Sequence, residues 1–152
     1  MPTEEDIAIV RAAILCLVNR ERARAGELPL RIDGRMQLAS QRHSEEMVAQ
    51  DYFEHDSPSG QSVADRMRSS GYIYSDRVGF ELGENIAWGT LSDATPASIV
   101  EAWMASPGHR ENILERRYAD TGIGVVAHLP ASLGEGHRGA VYTQDFGRIV
   151  RP

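Results

Sequence analysis

Two histidines and one glutamate occupy segments of the chain whose composition favours chemistry. His55 and His109 lie in irregular, turn-rich stretches with carboxylates or polar groups nearby, where distant parts of a chain can meet in a cleft. Glu84 is bracketed by a glycine and an asparagine and precedes an apolar run, so its carboxylate is expected at the edge of the core, where it needs partners. Two imidazoles and one carboxylate suit zinc or another divalent metal, with water in a fourth position. His55, Glu84 and His109 are therefore candidate metal ligands, although they are spread over 54 residues with no helical His-Glu-x-x-His spacing to make the pattern specific.

The same region permits a second chemistry, hydrolysis. Ser106 and His109 are three residues apart, and with Glu84 as an orienting acid they would provide a nucleophile and a base. Alternatively, a zinc-bound water would attack an ester or a peptide. Against a serine hydrolase, the chain has no Gly-x-Ser-x-Gly elbow, and Ser106 before Pro107 is explained by helix termination. The catalytic candidates, and equally the ligand-binding candidates, are His55, Glu84, Ser106 and His109.

The other three histidines fit structural or solvated positions. His43 shares a helical stripe with Ala39 and Met47, which predicts a half-buried, hydrogen-bonded ring. His128 and His137 flank a glycine-rich loop and are expected to be solvated.

Five further residues that resemble functional ones are interpreted as parts of the scaffold. We expect Cys16 to be a small buried side chain, and Trp88 and Trp103 to belong to the core. Asn112 is expected to bind backbone near a broken helix, and Arg22 to pair with an acidic residue.

Composition excludes several classes of protein. The 152 residues suit one domain, here taken as residues 1–152 with a core at about 7–147, and 41% apolar residues argue against disorder. Sixteen arginines and no lysine against 22 acidic residues give a net charge of −6, with no basic cluster to bind nucleic acid. No apolar run approaches the roughly 18 residues of a membrane span, and the first residues lack the pattern of a secretory signal.

Helical patterns dominate the first two thirds of the chain. We predict helices over residues 3–25, ending before Gly26, and from Asp33 as a cap to about Gln50. A third, short helix begins with a capping box at Ser62 and ends at Gly71, and a fourth begins at Thr95 with Pro96 in its first turn. The Pro-Gly pair at 107–108 is expected to break that helix, with a helical turn following over residues 109–114.

The last third of the chain favours strands. Residues 83–89 are predicted as an extended segment or strand edge, and the runs 123–126 and 140–146 as an antiparallel pair. Helices first and strands last predict an α+β fold with helices layered on an antiparallel sheet.

Seven segments of the chain form an ordered set of motifs. They include Tyr52-Phe53-Glu54-His55, Gly83-Glu84-Asn85-Ile86-Ala87 and Ser106-Pro107-Gly108-His109, and the whole set covers residues 19–30, 43–47, 52–55, 83–87, 103–114, 122–125 and 142–147. In this order the segments resemble the bacterial branch of the CAP superfamily, named for cysteine-rich secretory proteins, antigen 5 and plant pathogenesis-related proteins. The likeness extends from about Ile7 to Gly147.

The resemblance implies a three-layer α-β-α sandwich with a central antiparallel sheet and a large cleft. His55, Glu84 and His109 match three of the four residues of the family's His-Glu-Glu-His tetrad, in which the two imidazoles can bind a divalent metal. The fourth residue, a glutamate in many eukaryotic members, aligns with Ser106, so the site carries one carboxylate fewer. The disulfide framework of those members is also missing, since Cys16 is the single cysteine.

The function that the resemblance implies is that of a secreted, extracellular protein without established turnover. Its cleft would bind a divalent metal and a small lipid, apolar, glycan-type or cell-envelope ligand. The alternatives are the hydrolase described above and a surface or envelope interaction module with a vestigial cleft. We predict neither a nucleic-acid partner nor a transmembrane segment, and the sequence leaves the oligomeric state open.

Overall fold

A computed structural model describes residues 1–152 and contains five α-helices and four strands. The helices are α1 (Ile7–Arg24), α2 (Gly34–Ala49), α3 (Val63–Ser69), α4 (Pro96–Ala105) and α5 (Pro107–Leu114). The strands are β1 (Arg31–Ile32), β2 (Gly79–Thr90), β3 (Asp120–Val126) and β4 (Gly139–Val150). None of the helices is long and apolar enough to cross a membrane.

The strands form one sheet in the order β1-β3-β4-β2. β4 pairs antiparallel with both β2 and β3, which confirms the predicted pairing of the last two apolar runs. The short β1 runs parallel to β3, so the sheet is mixed at this edge. The sequence predicted a wholly antiparallel sheet. Helices α1, α4 and α5 pack on one face and α2 and α3 on the other, which confirms the α-β-α sandwich.

Alternation along β4 divides its side chains between the two layers. Tyr142 and Phe146 belong to the main core with α1 and α4. Val141 and Asp145 face the opposite way, toward α2. Because Glu84 of β2 is the register partner of Asp145, both carboxyl groups lie on the α2 and α3 face of the sheet.

Two glycines of β3 let α2 approach the sheet closely. A Cβ at Gly122 would collide with the backbone of Gln37, and one at Gly124 with the backbone of Ser40. The backbone of α2 therefore lies directly on β3, which fixes how far the α2 side chains reach across the sheet.

The predicted helix ends are confirmed, with two adjustments. Asp33 caps α2, Ser62 forms a capping box with Asp65 at the start of α3, and Gly26 follows α1 with a positive φ of 81°. However, α1 begins at Ile7, not at residue 3, because residues 4–6 form a turn. The fifth helix begins at Pro107, not at residue 109, because the fixed φ of proline suits a first helical position as well as it ends α4.

Arg22 and Asn112 both fix the position of α5. The Arg22 guanidinium donates to the carbonyls of Ile113 and Glu115 at the end of α5, and also to those of Leu28 and Tyr118. The prediction that Arg22 pairs with an acidic residue is therefore wrong, because backbone carbonyls accept the hydrogen bonds of its guanidinium. Asn112 binds backbone as predicted, since its Nδ2 donates to the Glu84 carbonyl at 3.2 Å.

Side chains cap both edges of the antiparallel part of the sheet. On β2, the carbonyls of Leu82, Glu84 and Ile86 accept hydrogen bonds. The donors are, in the same order, Tyr118 Oη, Asn112 Nδ2 and Trp103 Nε1. On β3, the Gln41 amide donates to the Val125 carbonyl and accepts from the Val125 N–H.

Two residues assigned to the core are exposed. Cys16 lies on the outer face of α1, where its side chain reaches solvent and not the core. Trp88 is 39% exposed because it lies on the edge strand β2, which has no further strand beside it, whereas Trp103 is buried as predicted.

Candidate functional site

The structure brings His55 and Glu84 into direct contact. His55 lies in the loop between α2 and α3, with its side chain 55% exposed, and its Nδ1 is 2.8 Å from Glu84 Oε1. Because a carboxylate oxygen only accepts, the proton lies on His55 Nδ1, which donates a hydrogen bond to Glu84 Oε1. In the neutral imidazole, this tautomer leaves a free lone pair on Nε2.

A buried arginine holds the other oxygen of Glu84. Arg66 of α3 donates from Nη2 to Glu84 Oε2 at 2.8 Å, and both side chains are almost fully enclosed. Burial raises the pKa of Glu84, and the hydrogen bonds from Asp145 and Arg66 oppose this rise only in part. Glu84 is thus a buried carboxylate with both oxygens engaged.

His43 completes one wall of the cluster as a neutral ring. It is buried more deeply than the predicted half-buried position, and its Nε2 donates to the Glu54 carbonyl at 3.0 Å. Burial and the nearby Arg66 guanidinium lower the pKa of His43 to about 3. Its Nε2 lies 3.8 Å from Glu84 Oε1, but since the ring is uncharged at neutral pH this contact is not an ion pair.

Beneath Glu84 lies a second carboxyl group, that of Asp145. Asp145 is fully buried, and Ser40 of α2 donates to its Oδ2 at 2.7 Å. Burial and the neighbouring Glu84 raise the pKa of Asp145 well above its usual range. The sequence interpretation missed this residue, as it missed Arg66 and Ser40. The available signal was an aspartate inside the predicted run 140–146, whose other residues are all uncharged.

His109 is held by Ser106. The two residues lie at the start of α5, with His109 Nδ1 2.9 Å from Ser106 Oγ, while Asn85 donates to the His109 carbonyl at 3.0 Å. Burial lowers the pKa of His109, and the His55 ring adds a smaller lowering. Glu84 does not orient His109 as the hydrolase interpretation expected, because its oxygens are bonded to His55 and Arg66.

Both imidazoles are thus anchored through Nδ1. This pattern is typical of metal-ligating histidines, whose other nitrogen bonds a carboxylate or another polar group. No group of three histidine, cysteine, aspartate or glutamate side chains has an arrangement that could hold a metal ion. The three-residue ligand set therefore stays a prediction.

Two hollows bear on where a ligand could lie. A hollow of about 140 Å³ borders the Glu84 cluster and is lined by His43, Arg66 and residues of α2 and α3. A larger groove of about 710 Å³ lies between the first residues and the β3–β4 loop, and contains none of the predicted site residues. Its lining includes the two other histidines, His128 and His137, both exposed as predicted.

Comparisons with known proteins give a consistent answer. The model of the CAP family, the cysteine-rich secretory protein family, matches residues 15–146. The uncharacterized protein YkwD of Bacillus subtilis is 37% identical over 130 residues, or 86% of this chain and 44% of YkwD. The uncharacterized membrane protein YlbC of the same organism is 34% identical over 112 residues, or 74% of this chain and 30% of YlbC. The chain thus spans less than half the length of these two relatives.

Solved structures agree on the fold. An extracellular protein of Bacillus anthracis that contains an SCP domain superposes with a TM-score of 0.73 at 27% identity, covering 100% of this chain and 45% of that one. An outer surface protein of Borrelia burgdorferi superposes with a TM-score of 0.70 at 18% identity, covering 100% and 97%. By its family match, its bacterial relatives and its fold, this chain belongs to the CAP family of cysteine-rich secretory proteins, in its bacterial form.

Proposed function

We propose that this CAP domain binds a divalent metal such as zinc through Nε2 of His55 and Nε2 of His109, and acts as a binding protein without turnover. The observation that supports this proposal is the anchoring of both rings through Nδ1, at 2.8 Å to Glu84 and 2.9 Å to Ser106. When bound, the ion would supply a positive charge able to hold an anionic or carbonyl group of a ligand.

In this proposal Glu84 and Ser106 orient the ligating rings. Both oxygens of Glu84 already accept hydrogen bonds, so the carboxylate acts best by fixing the tautomer of His55. Ser106 would take the corresponding place at His109 by accepting from Nδ1, a role that its hydroxyl oxygen allows. Because the pKa of His109 is lowered, its ring stays neutral, and able to bind a metal, to a lower pH than an ordinary histidine.

The ligand class is proposed from an exposed aromatic side chain. Trp88 lies on the same face of β2 as Glu84, four residues further along, or about 13 Å at strand spacing. An exposed indole can stack on a sugar ring, so we favour a glycan of the cell envelope over a lipid chain. We also propose an extracellular location, which is that of the Bacillus anthracis relative.

Zinc titration calorimetry at pH 7.5 tests the metal site. We expect one zinc per chain for the unsubstituted protein, and a loss of about tenfold or more in affinity for His55→Ala and for His109→Ala. The matched control is His137→Ala, which removes an exposed histidine outside the site and should leave the affinity unchanged. Unchanged affinity in both site variants would refute the proposal.

The glycan is tested separately with soluble oligomers of N-acetylglucosamine. We expect them to quench Trp88 fluorescence, and the signal to disappear in Trp88→Phe. Trp103 is buried and serves as the internal reference. Quenching that persists in Trp88→Phe would therefore argue against a sugar stacked on Trp88.

A second candidate function is ester or peptide hydrolysis, favoured by the short contact between Ser106 Oγ and His109 Nδ1. His109 has no acidic partner on its Nε2, so the pair lacks the orienting acid of a triad. Activity on a panel of p-nitrophenyl esters that Ser106→Ala abolishes would favour this function over binding.

A further inference from the structure

The hollow of about 140 Å³ between α2 and α3 contains neither of the proposed metal ligands nor Trp88. Eight residues line it, and Ala39 is the one hydrophobic residue among them. Ala39 on α2 and Ser69 and Ser70 beside it from α3 have short side chains, which leave a space where two helices would otherwise pack against each other. A hollow lined by polar groups favours a polar occupant.

Two opposite charges lie side by side on the α2 wall of this hollow. Arg42 and Glu46 are one helical turn apart, so they lie on the same side of α2, and both line the hollow. One oxygen of Glu46 accepts from Tyr52 Oη at 2.7 Å, which leaves its other oxygen for a ligand. Arg42 is exposed to solvent. This wall therefore presents a positively charged donor next to a negatively charged acceptor.

Arg66 on α3 adds a second guanidinium to the lining. Its side chain is 7% exposed, with Nη2 donating to Glu84 Oε2 at 2.8 Å and Nη1 donating to the Gln61 carbonyl at 3.3 Å. Its Nε has no hydrogen-bond partner. A guanidinium has more N–H groups than these two bonds use. Because buried N–H groups without partners are costly, this wall favours an acceptor group on the ligand.

We propose that the hollow binds a small zwitterion, an α-amino acid of the size of glycine or alanine. The carboxylate of the amino acid lies between Arg42 and Arg66, and its ammonium group donates to Glu46. A cavity of about 150 Å³ holds one benzene molecule, so this hollow has room for about six non-hydrogen atoms. The lining favours a zwitterion over a simple anion, because Glu46 would repel an anion and attracts an ammonium group.

Titration calorimetry of the metal-free protein with L-alanine at pH 7.5 tests this site. We expect saturable binding of one alanine per chain. Acetate and ethylammonium each carry one of the two charged groups of alanine. Both should bind at least about tenfold more weakly, since each lacks one of the charge-assisted hydrogen bonds.

Two substitutions that preserve size identify the location of the bound alanine. Arg42→Gln removes the charge that faces the carboxylate, and Glu46→Gln removes the charge that faces the ammonium group. Each should weaken alanine binding by about tenfold or more. The matched control is Arg68→Gln, which removes an exposed arginine of α3 that does not line the hollow and should leave the affinity unchanged. Equal denaturation midpoints for the variants would show that lost binding is not lost folding.

Three outcomes would overturn the proposal. The first is the absence of saturable heat with alanine. The second is acetate binding as tightly as alanine, which would make the hollow a simple anion site. The third is unchanged alanine affinity in either Arg42→Gln or Glu46→Gln. Because the protein is free of metal and both proposed metal ligands stay in place, a failed zinc titration would leave this result readable, and the reverse also holds.

Discussion

Replacing Arg66 by methionine should cost about 3–5 kcal/mol of unfolding free energy at pH 7.5. Arg66 and Glu84 are 2.8 Å apart, with side chains 7% and 2% exposed, so solvent screens the pair little. At an effective dielectric constant of 20, their gross attraction is about 6 kcal/mol. Desolvation offsets part of this, and removal of one partner from a buried pair typically costs about 3–5 kcal/mol, because the other charge stays behind.

The pH dependence of this loss has a definite sign. Burial already raises the pKa of Glu84, and loss of the guanidinium raises it further. The folded variant then binds a proton more tightly than the unfolded chain, so its stability recovers as the pH falls toward the unfolded value of about 4.3. One proton can return at most about 1.4 kcal/mol per pH unit, so between pH 7.5 and 5.5 up to about 2.7 kcal/mol should return.

Urea denaturation of matched variants measures both effects. Arg68→Met is the control for loss of an arginine, because Arg68 forms an exposed pair with Asp65 at 3.8 Å and should cost about 0–1 kcal/mol. The double variant Arg66→Met with Glu84→Gln should recover most of the loss, since no unpaired charge remains. The reasoning would be refuted by a loss below about 1 kcal/mol for Arg66→Met, or by a double variant no more stable than the single one.

Three further predictions concern the scaffold. Gly124→Ala should cost at least about 3 kcal/mol in urea denaturation, because its Cβ would meet the backbone of Ser40, and a near-neutral result would mean that α2 can move. Asn112→Ala should cost about 1–3 kcal/mol and speed amide hydrogen exchange in β2, since the Glu84 carbonyl loses a donor; unchanged exchange would contradict this. Cys16→Ser should change stability by less than about 0.5 kcal/mol because the side chain is exposed, whereas a larger loss would place it in the core.

Local signals in the sequence predicted the elements well. Asp33, Ser62 and Gly26 act at helix ends through their own side-chain or backbone chemistry, so neighbouring residues suffice to identify them. The alternating runs also predicted β3 and β4. The same reasoning failed for Cys16, because an apolar residue in the first helix can face either layer or solvent.

The candidate site was only partly predictable, because its contacts join residues far apart in the chain. The sequence identified His55 and Glu84 but not their geometry, since the two residues are 29 positions apart and no local pattern shows which partner each carboxylate oxygen binds. Asp145 and Ser40 are 105 residues apart and meet only because α2 lies directly on β3. Their pairing follows from packing, which no local pattern encodes.

The capped edges of the sheet have a consequence for self-assembly. An open strand edge is a template on which another chain can add a strand, as in fibrils and in peptide recognition by strand addition. Here Tyr118, Asn112 and Trp103 occupy the carbonyls of β2, and Gln41 occupies both polar groups of Val125 on β3. An added strand would therefore have to displace Tyr118, Asn112 and Trp103 from the β2 carbonyls, or Gln41 from Val125, before it could pair at these positions.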